Sequence, residues 1–444
     1  MNLILLSGGS GKRLWPLSND IRSKQFIKIF KRDDGTYESM VQRMYRQIKA
    51  QDIGARITIA TSKPQVSAIH NQLGMDVGIS IEPCRRDTFP AIALAAAYLK
   101  DIQGVGEDEA VVVCPVDPYV NEDYFAAIHN LWTLAQQDKA NLILMGISPT
   151  YPSEKYGYII PKTADAVATV DTFKEKPDEA TAREYIAQGA LWNSGVFAFK
   201  LGYVLNRAHE LIDFVGYQDL FNKYADLPKI SFDYGVAEQE PSMAVVRFSG
   251  QWEDIGCWNT LTEAMEESAV GEAYLNEECQ NVHVLNDMGV PILCMGLQNV
   301  VVAASPEGIL VSTKDQSPNI KPYVDQIHRQ IMFAETSWGN YRVLDVQDQS
   351  MTIRVELMPG HRMHYHSHQH RDETWTVVSG RGFAVIDDAE IPVHPGIMLR
   401  LPAGCRHSLV AETALTVIEV QIGSEITAAD KVKYSLADRY GEHK

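Results

Sequence analysis

No CxxC pair occurs in this 444-residue sequence, although it holds six cysteines. Cys84, Cys114, Cys257, Cys279, Cys294 and Cys405 stand apart, which argues against a zinc ribbon or a disulfide frame and points to reduced thiols in a cytoplasmic protein. Basic residues are scarce as well: 40 Lys and Arg against 57 Asp and Glu leave a net charge of -17. That balance repels polyanions, so neither a general nucleic-acid binder nor a membrane-surface binder is expected. Any anionic ligand must be caught by a local basic pocket. There is no long apolar run and no basic, apolar, small-residue leader pattern, so neither a membrane span nor a signal peptide is expected. Low-complexity segments are missing too. What remains is an ordinary globular composition, 45% hydrophobic and 22% charged, on a chain too long for one core.

Three textures follow one another. Residues 1–265 alternate short apolar runs with helical patterns. "MNLIL" at 1, "RITIA" at 56, "AVVVCPV" at 110 and "NLILMGI" at 141 read as buried strands; "PAIALAAAYLK" and "YFAAIHNLWTLAQQ" read as helices. Such alternation predicts a mixed, mostly parallel sheet covered by helices, with ligands beyond the carboxyl ends of the strands. Residues 266–330 hold short β-type pieces at near-regular spacing, which predicts a β-solenoid-like linker. Residues 331–444 read as a small all-β domain ending in a helical tail, "TAADKVKYSLADRYG".

The first strand runs into "LLSGGSGKRLWPLSNDIRSKQF". A Gly-rich turn at a strand end lets backbone N–H groups converge on an anion, and Lys12, Arg13 and Lys24 would neutralise it. A solvated surface turn is the plainer account of such a loop alone. "CPVDPYV" sets Asp117 just past a buried strand, and "QWEDIGCW" sets Asp254 in a turn; each is a turn former or a metal carboxylate. Gly157 in "YGYI" would let a ligand approach the backbone. Near the C-terminus, "PGHRMHYHSHQHRDETWTVVSG" alternates His364, His366, His368 and His370, which a strand would turn to one face. Glu373 and the later His407 complete an imidazole and carboxylate set that suits a transition metal; a metal-free barrel with polar strand residues is the alternative.

Taken in order, "LLSGGSGKRLWPLS", "SKQF", "IEPCRRDTFPAIALAA", "YGYI", "FKEKP", "WNSGVF" and "WEDIGCW" resemble the sugar-1-phosphate nucleotidyltransferases, and most closely the mannose-1-phosphate guanylyltransferases. Lys12, Ser23 and Asp87 depart from that pattern, which usually has Thr, Pro and Asn there. The resemblance implies a Rossmann-like domain and a magnesium-dependent reaction in which GTP and mannose 1-phosphate give GDP-mannose and pyrophosphate. By resemblance, Leu6, Gly8, Gly9, Gly11, Lys12, Arg13 and Lys24 would surround the nucleotide with Glu82, Pro83, Asp87 and Thr88. Asp117 and Asp254 would hold Mg2+, Lys176 the sugar phosphate, and Gly157, Glu175 and Asn193 the sugar. Arg13, Lys24, Asp117, Lys176 and Asp254 are the implied catalytic set, and a non-catalytic sensor that kept the fold would not need all five. Another sugar 1-phosphate, heptose or glucose, or another NTP is the alternative substrate.

The C-terminal motifs G-x5-H-x-H-x4-E-x6-G and G-x5-P-x-G-x2-H resemble those of cupin barrels, and "HQHRDETWTVVSG" with "IEVQIGS" resembles the type II mannose-6-phosphate isomerase domain. The cupin spacing selects His366 and His368, the isomerase pattern His368 and His370, each with Glu373 and His407, and the implied metal is Zn2+. Interconversion of mannose 6-phosphate and fructose 6-phosphate is left open. A homo-oligomer, a dimer, is the implied assembly, with no nucleic-acid or membrane partner.

Overall fold

The structure, a computed structural model, describes residues 1–9, 12–19, 21–51 and 53–435. It divides into two compact units. One is Met1–Arg13 with Ser23–Glu267; the other is Leu14–Arg22 with the chain from Ser268 onward.

The first unit is built on a nine-stranded sheet. Its order is Gly78–Glu82, Arg56–Ser62, Asn2–Leu6, Ala110–Pro115, Leu191–Lys200, Leu142–Ile147, Met243–Phe248, Val167–Lys174 and Tyr158–Pro161. The first four strands are parallel, as the alternation of strands and helices predicts. Leu191–Lys200 then enters antiparallel to both neighbours, and Met243–Phe248 returns parallel to Leu142–Ile147. Both faces are covered. Along Ala110–Pro115, Val111 and Val113 pack into one core and Val112 and Cys114 into the other. This explains an unbroken apolar run where a half-exposed strand would alternate. Helix Thr88–Asp101, rich in alanine, lies in the first of these cores and starts at Asp87, whose carboxylate accepts from the Thr88 N–H.

In the second unit, Ala269–Val270, His283–Asn286 and Val300–Ser305 pair in parallel, and Ala273–Leu275 pairs in parallel with Ile292–Cys294. Gly308–Thr313 closes the larger sheet antiparallel to Val300–Ser305. The segment Leu14–Arg22 is fastened within this unit. Ser305 Oγ donates to the Pro16 carbonyl at 2.6 Å, Asn19 Nδ2 donates to Glu307 Oε1 at 2.9 Å, and Arg22 pairs with Asp287 at 3.1 Å.

Beyond residue 330 two antiparallel sheets share one core around Trp375, Leu409 and Val417. The six-stranded sheet includes Ser350–Leu357, Arg371–Ser379 and Leu415–Gly423; the five-stranded one includes Gly382–Ile386, His407–Ala411 and His366–His368. This is the expected cupin architecture. The expected helical tail is corrected where it is described: Lys431–Lys433 is a strand, antiparallel to His366–His368. Its backbone finds partners on the open edge of the histidine strand, which outweighs local helical preference. Residues 436–444 lie outside the described residues.

Candidate active site and a buried histidine cluster

Strand Asn2–Leu6 ends between Arg56–Ser62 and Ala110–Pro115, so the Gly-rich loop leaves from the carboxyl edge of the sheet. Leu6 is its last residue. Gly8 and Gly9 are exposed, with open space where a side chain would stand, and Gly9 has φ +115°. Gly11 lies outside the described residues. The loop is held from behind by a network the sequence did not reveal. Gln25 Nε2 donates to the Ser7 carbonyl at 3.3 Å, Ser23 Oγ donates to the Gly9 carbonyl at 2.9 Å, and Gln65 Nε2 donates to Ser23 Oγ at 2.6 Å. Ser23, a departure from the family pattern, therefore anchors the loop. Gln65 sits in the turn Lys63–Gln65, where nothing but its later neighbours identifies it.

Asp117 stands two residues past the end of Ala110–Pro115, and the short strand Trp252–Asp254 pairs antiparallel with Pro118–Val120. That pairing brings Asp254 beside Asp117. Lys24 Nζ lies 2.7 Å from Asp117 Oδ2 and donates to the Ile255 carbonyl at 2.7 Å. Burial works against the Lys24 charge, but Asp117 and Asp254 outweigh it and raise its pKa. Burial also raises the Asp254 carboxyl, helped by Asp117 and opposed by Lys24 and Arg13. Arg13 is exposed at the turn Lys12–Leu14, and its Nη1 and the Asp254 carboxylate both approach Gly256. Carboxylates crowded at a strand end, with their second charge disfavoured, fit a divalent cation with oxygen ligands.

Next to them opens a polar cavity of about 220 Å³, lined among others by Asp117, Gly157, Glu175, Asn193, Asp233 and Asp254. Glu175 is buried and its carboxylate lies over Gly157, where a Cβ would stand 2.5 Å from Oε2. Lys176, with φ +45°, turns back to pair with Glu175 at 2.6 Å. The Asn193 N–H donates to the Gly157 carbonyl at 2.8 Å, so the two expected sugar residues share one wall. Asp233 is a cavity residue that the sequence reading passed over.

The segment 82–88 divides in role. Glu82 is buried and accepts from Tyr224 Oη at 2.8 Å, burial raising its pKa first of all. Pro83 and Asp87 are exposed; Asp87 has φ +72° and caps its helix. Thr88 Oγ1 accepts from the Phe232 N–H at 2.8 Å, which ties this segment to the turn that carries Asp233.

In the cupin, ligand atoms of His366, His368, Glu373 and His407 lie within 4.8 Å of one another, all buried. Nδ1 of each imidazole meets a backbone carbonyl: His364 at 2.6 Å, Asp430 at 3.0 Å and Cys405 at 3.0 Å, respectively. A carbonyl can only accept, so Nδ1 carries the proton and Nε2 presents its lone pair. Glu373 Oε2 and His407 Nε2 are buried 3.2 Å apart and have no hydrogen-bond partner among the described residues. Two buried acceptors facing each other are satisfied by a shared proton or by a cation, and with His366 and His368 beside them this donor set fits a metal. Arg371 Nη2 also lies 3.1 Å from His368 Nε2. His364 and His370 fall outside the strand His366–His368, and His370 is exposed.

Residues 2–270 match the nucleotidyl transferase family, and residues 324–435 match the family described as mannose-6-phosphate isomerase C-terminal. The chain is 31% identical over 476 aligned positions to the xanthan biosynthesis protein XanB of Xanthomonas campestris pv. campestris (strain B100), covering 99% of this chain and 98% of that one. It is 29% identical over 480 positions to mannose-1-phosphate guanylyltransferase of Escherichia coli (strain K12), with 99% and 98% covered. A crystal structure from Thermus thermophilus, described as mannose-1-phosphate geranyltransferase, superposes with a TM-score of 0.62 at 28% identity, covering 73% of this chain and 98% of that one.

Proposed function

The chain belongs to the nucleotidyl transferase family and is a sugar-phosphate nucleotidyltransferase, and from that premise we propose that it joins GTP to mannose 1-phosphate, giving GDP-mannose and pyrophosphate. The observation that carries this is the meeting of Lys24 with Asp117 and Asp254, two carboxylates that line the same cavity as Gly157, Glu175 and Asn193. A phosphate oxygen of the sugar phosphate attacks the α-phosphorus, and the bond to the bridging oxygen of the β-phosphate breaks. The nucleophile is already ionised at neutral pH, so positioning and charge neutralisation suffice and no general base is needed. Arg13 and Lys24 would neutralise the departing pyrophosphate. Asp117 and Asp254 would hold Mg2+, which supplies charge stabilisation at the reacting phosphates. Lys176 would exchange its pairing with Glu175 for the sugar phosphate, leaving Glu175 to the sugar. The exposed glycines Gly8 and Gly9 leave room for the triphosphate, with Leu6, Lys12, Glu82, Pro83, Asp87 and Thr88 around the nucleotide.

The test is pyrophosphate release by the whole chain across four NTPs and a panel of sugar 1-phosphates. GTP with mannose 1-phosphate should give the highest kcat/KM; a clear preference for another pair would replace the assignment. A second reading is favoured by the buried histidine cluster: the cupin would interconvert mannose 6-phosphate and fructose 6-phosphate with a bound transition metal, zinc being the first candidate. Loss of that conversion on metal removal, with pyrophosphate release intact, would support it.

A further inference from the structure

Asp233 lies on the four-residue helix Phe232–Gly235. The helix does not need it: Ser231 is the cap, its Oγ accepting from the Tyr234 N–H at 3.3 Å. The turn is fixed from the other side. The Ile230 N–H donates to the Arg86 carbonyl, the Phe89 N–H to the Ile230 carbonyl, and the Phe232 N–H to Thr88 Oγ1. So held, Asp233 reaches the cavity that Glu175, Asn193 and Gly157 line.

There Asn193 Nδ2 donates to Asp233 Oδ1 at 2.7 Å, while Asn193 Oδ1 accepts from the Gly195 N–H at 3.2 Å. The amide oxygen and one of the two amide N–H groups are thus engaged by the protein itself, and the Asp233 carboxylate lines the cavity beside them. That carboxylate shares its surroundings with Glu175. Burial and the Glu175 charge push its pKa up to about 7, against the pull of Lys176 and Asn193. A pair of carboxyls in one cavity costs the fold stability and serves no helix cap, and such arrangements gather where a ligand binds.

We infer that Asp233 is a sugar-specificity residue, its carboxylate accepting a ring hydroxyl of the sugar 1-phosphate while the Asn193 amide holds it in place. The inference rests on the transferase reading above. A polyhydroxy ring is the ligand class that brings several neutral donors to two neighbouring carboxyls at once. An epimer whose hydroxyl points away leaves the half-buried Asp233 carboxylate without that donor. A site built to bind a hydroxyl rejects the analogue that fails to supply it far more strongly than an apolar pocket rejects an added or missing methylene.

The test compares the full chain with Asp233→Asn, which keeps the shape and removes the charge, using mannose, glucose and galactose 1-phosphates. The KM for the preferred sugar phosphate should rise about 10- to 100-fold, the range of a lost charge-assisted hydrogen bond. The KM for the nucleotide should stay within about twofold, and the kcat/KM ratio between epimers should fall toward one. An unchanged sugar KM and epimer ratio would overturn the inference, as would an equal rise in both KM values. If Asp233→Asn fails to fold, Asn193→Ala gives the same readout, since it releases the carboxylate; undiminished epimer discrimination in it would overturn the inference. A wild type inactive with every sugar phosphate would remove the transferase reading as well, whereas an active wild type with an indifferent Asp233→Asn removes this inference alone.

Discussion

Replacing Gly157 with alanine adds one methyl group at a point where the structure has no room for it. The backbone is not the obstacle, because Gly157 is not among the glycines with positive φ. The added Cβ would stand 2.5 Å from Glu175 Oε2, 3.0 Å from Phe173 Cζ and 3.3 Å from the Asn193 Cβ. The phenyl ring is buried core, and the Asn193 Cβ is fixed by a strand. Glu175 is therefore the group that yields, by about 1 Å to reach ordinary contact. That shift draws Oε1 away from Lys176, now 2.6 Å off. Lys176 is half exposed, so the lost ion pair itself contributes little to stability. The strain against Phe173 matters more, at about 1–3 kcal/mol for an overpacked site. In a unit of this size that corresponds to a melting midpoint lower by roughly 2–10 °C. The functional effect should exceed the structural one, because the methyl group enters the cavity and moves a carboxylate proposed to bind the sugar. The KM for the sugar phosphate should rise by about tenfold or more, with the nucleotide KM little changed. Calorimetry and initial rates of pyrophosphate release check both numbers. A variant with the wild-type midpoint and wild-type sugar KM would refute the close approach of Glu175 to Gly157.

Asp254→Asn should reduce turnover by about 100- to 1000-fold at saturating magnesium, the usual loss for a transition-state charge contact, while circular dichroism stays that of the wild type; unchanged turnover would remove Asp254 from the metal site. Gln65→Leu should leave Ser23 Oγ without its donor and lower stability by about 1–3 kcal/mol in denaturant titration, with a raised KM for the nucleotide as the loop loosens. Lys176→Ala should raise the KM for the sugar phosphate far more than that for the nucleotide; the reverse pattern would move the lysine to the nucleotide. Purified protein should carry close to one transition-metal ion per chain by elemental analysis. His368→Ala with His407→Ala should abolish it without slowing pyrophosphate release, and a metal-free wild type would make the histidine cluster structural.

Four of the nine strands of the first sheet, Asn2–Leu6, Arg56–Ser62, Ala110–Pro115 and Leu142–Ile147, were legible as apolar runs bounded by turns, because burial on both faces demands such runs; Val167–Lys174, whose burial alternates, carries no such run. Asp117 and Asp254 were legible only as fragments, since the pairing of Trp252–Asp254 with Pro118–Val120 joins segments far apart in the chain. Gln65 and Asp233 left no local mark. Each is a common polar residue in a short turn, and its role depends entirely on partners brought close by the fold. The alternating histidines predicted four imidazoles on one face, but the strand spans only His366–His368, so the other two fall on the irregular segments that flank it. The tail was misread because charged residues and alanines favour a helix in isolation, and the open sheet edge decides otherwise.

The loop that supplies Arg13 and Lys24 has its middle, Leu14–Arg22, folded into the second unit. Anyone who trims this protein to a minimal transferase by stopping at Glu267 would keep those nine residues and discard Ser305, Glu307 and Asp287, which fasten them. Trp15, which packs against Gly308, would lose that neighbour as well. The shortened chain would carry every proposed catalytic residue and a signature loop anchored only at its two ends. The boundary that matters for expression, for gene splitting and for fusion design is therefore not the end of the large sheet but a point beyond Phe333, whose carbonyl accepts from Asn19.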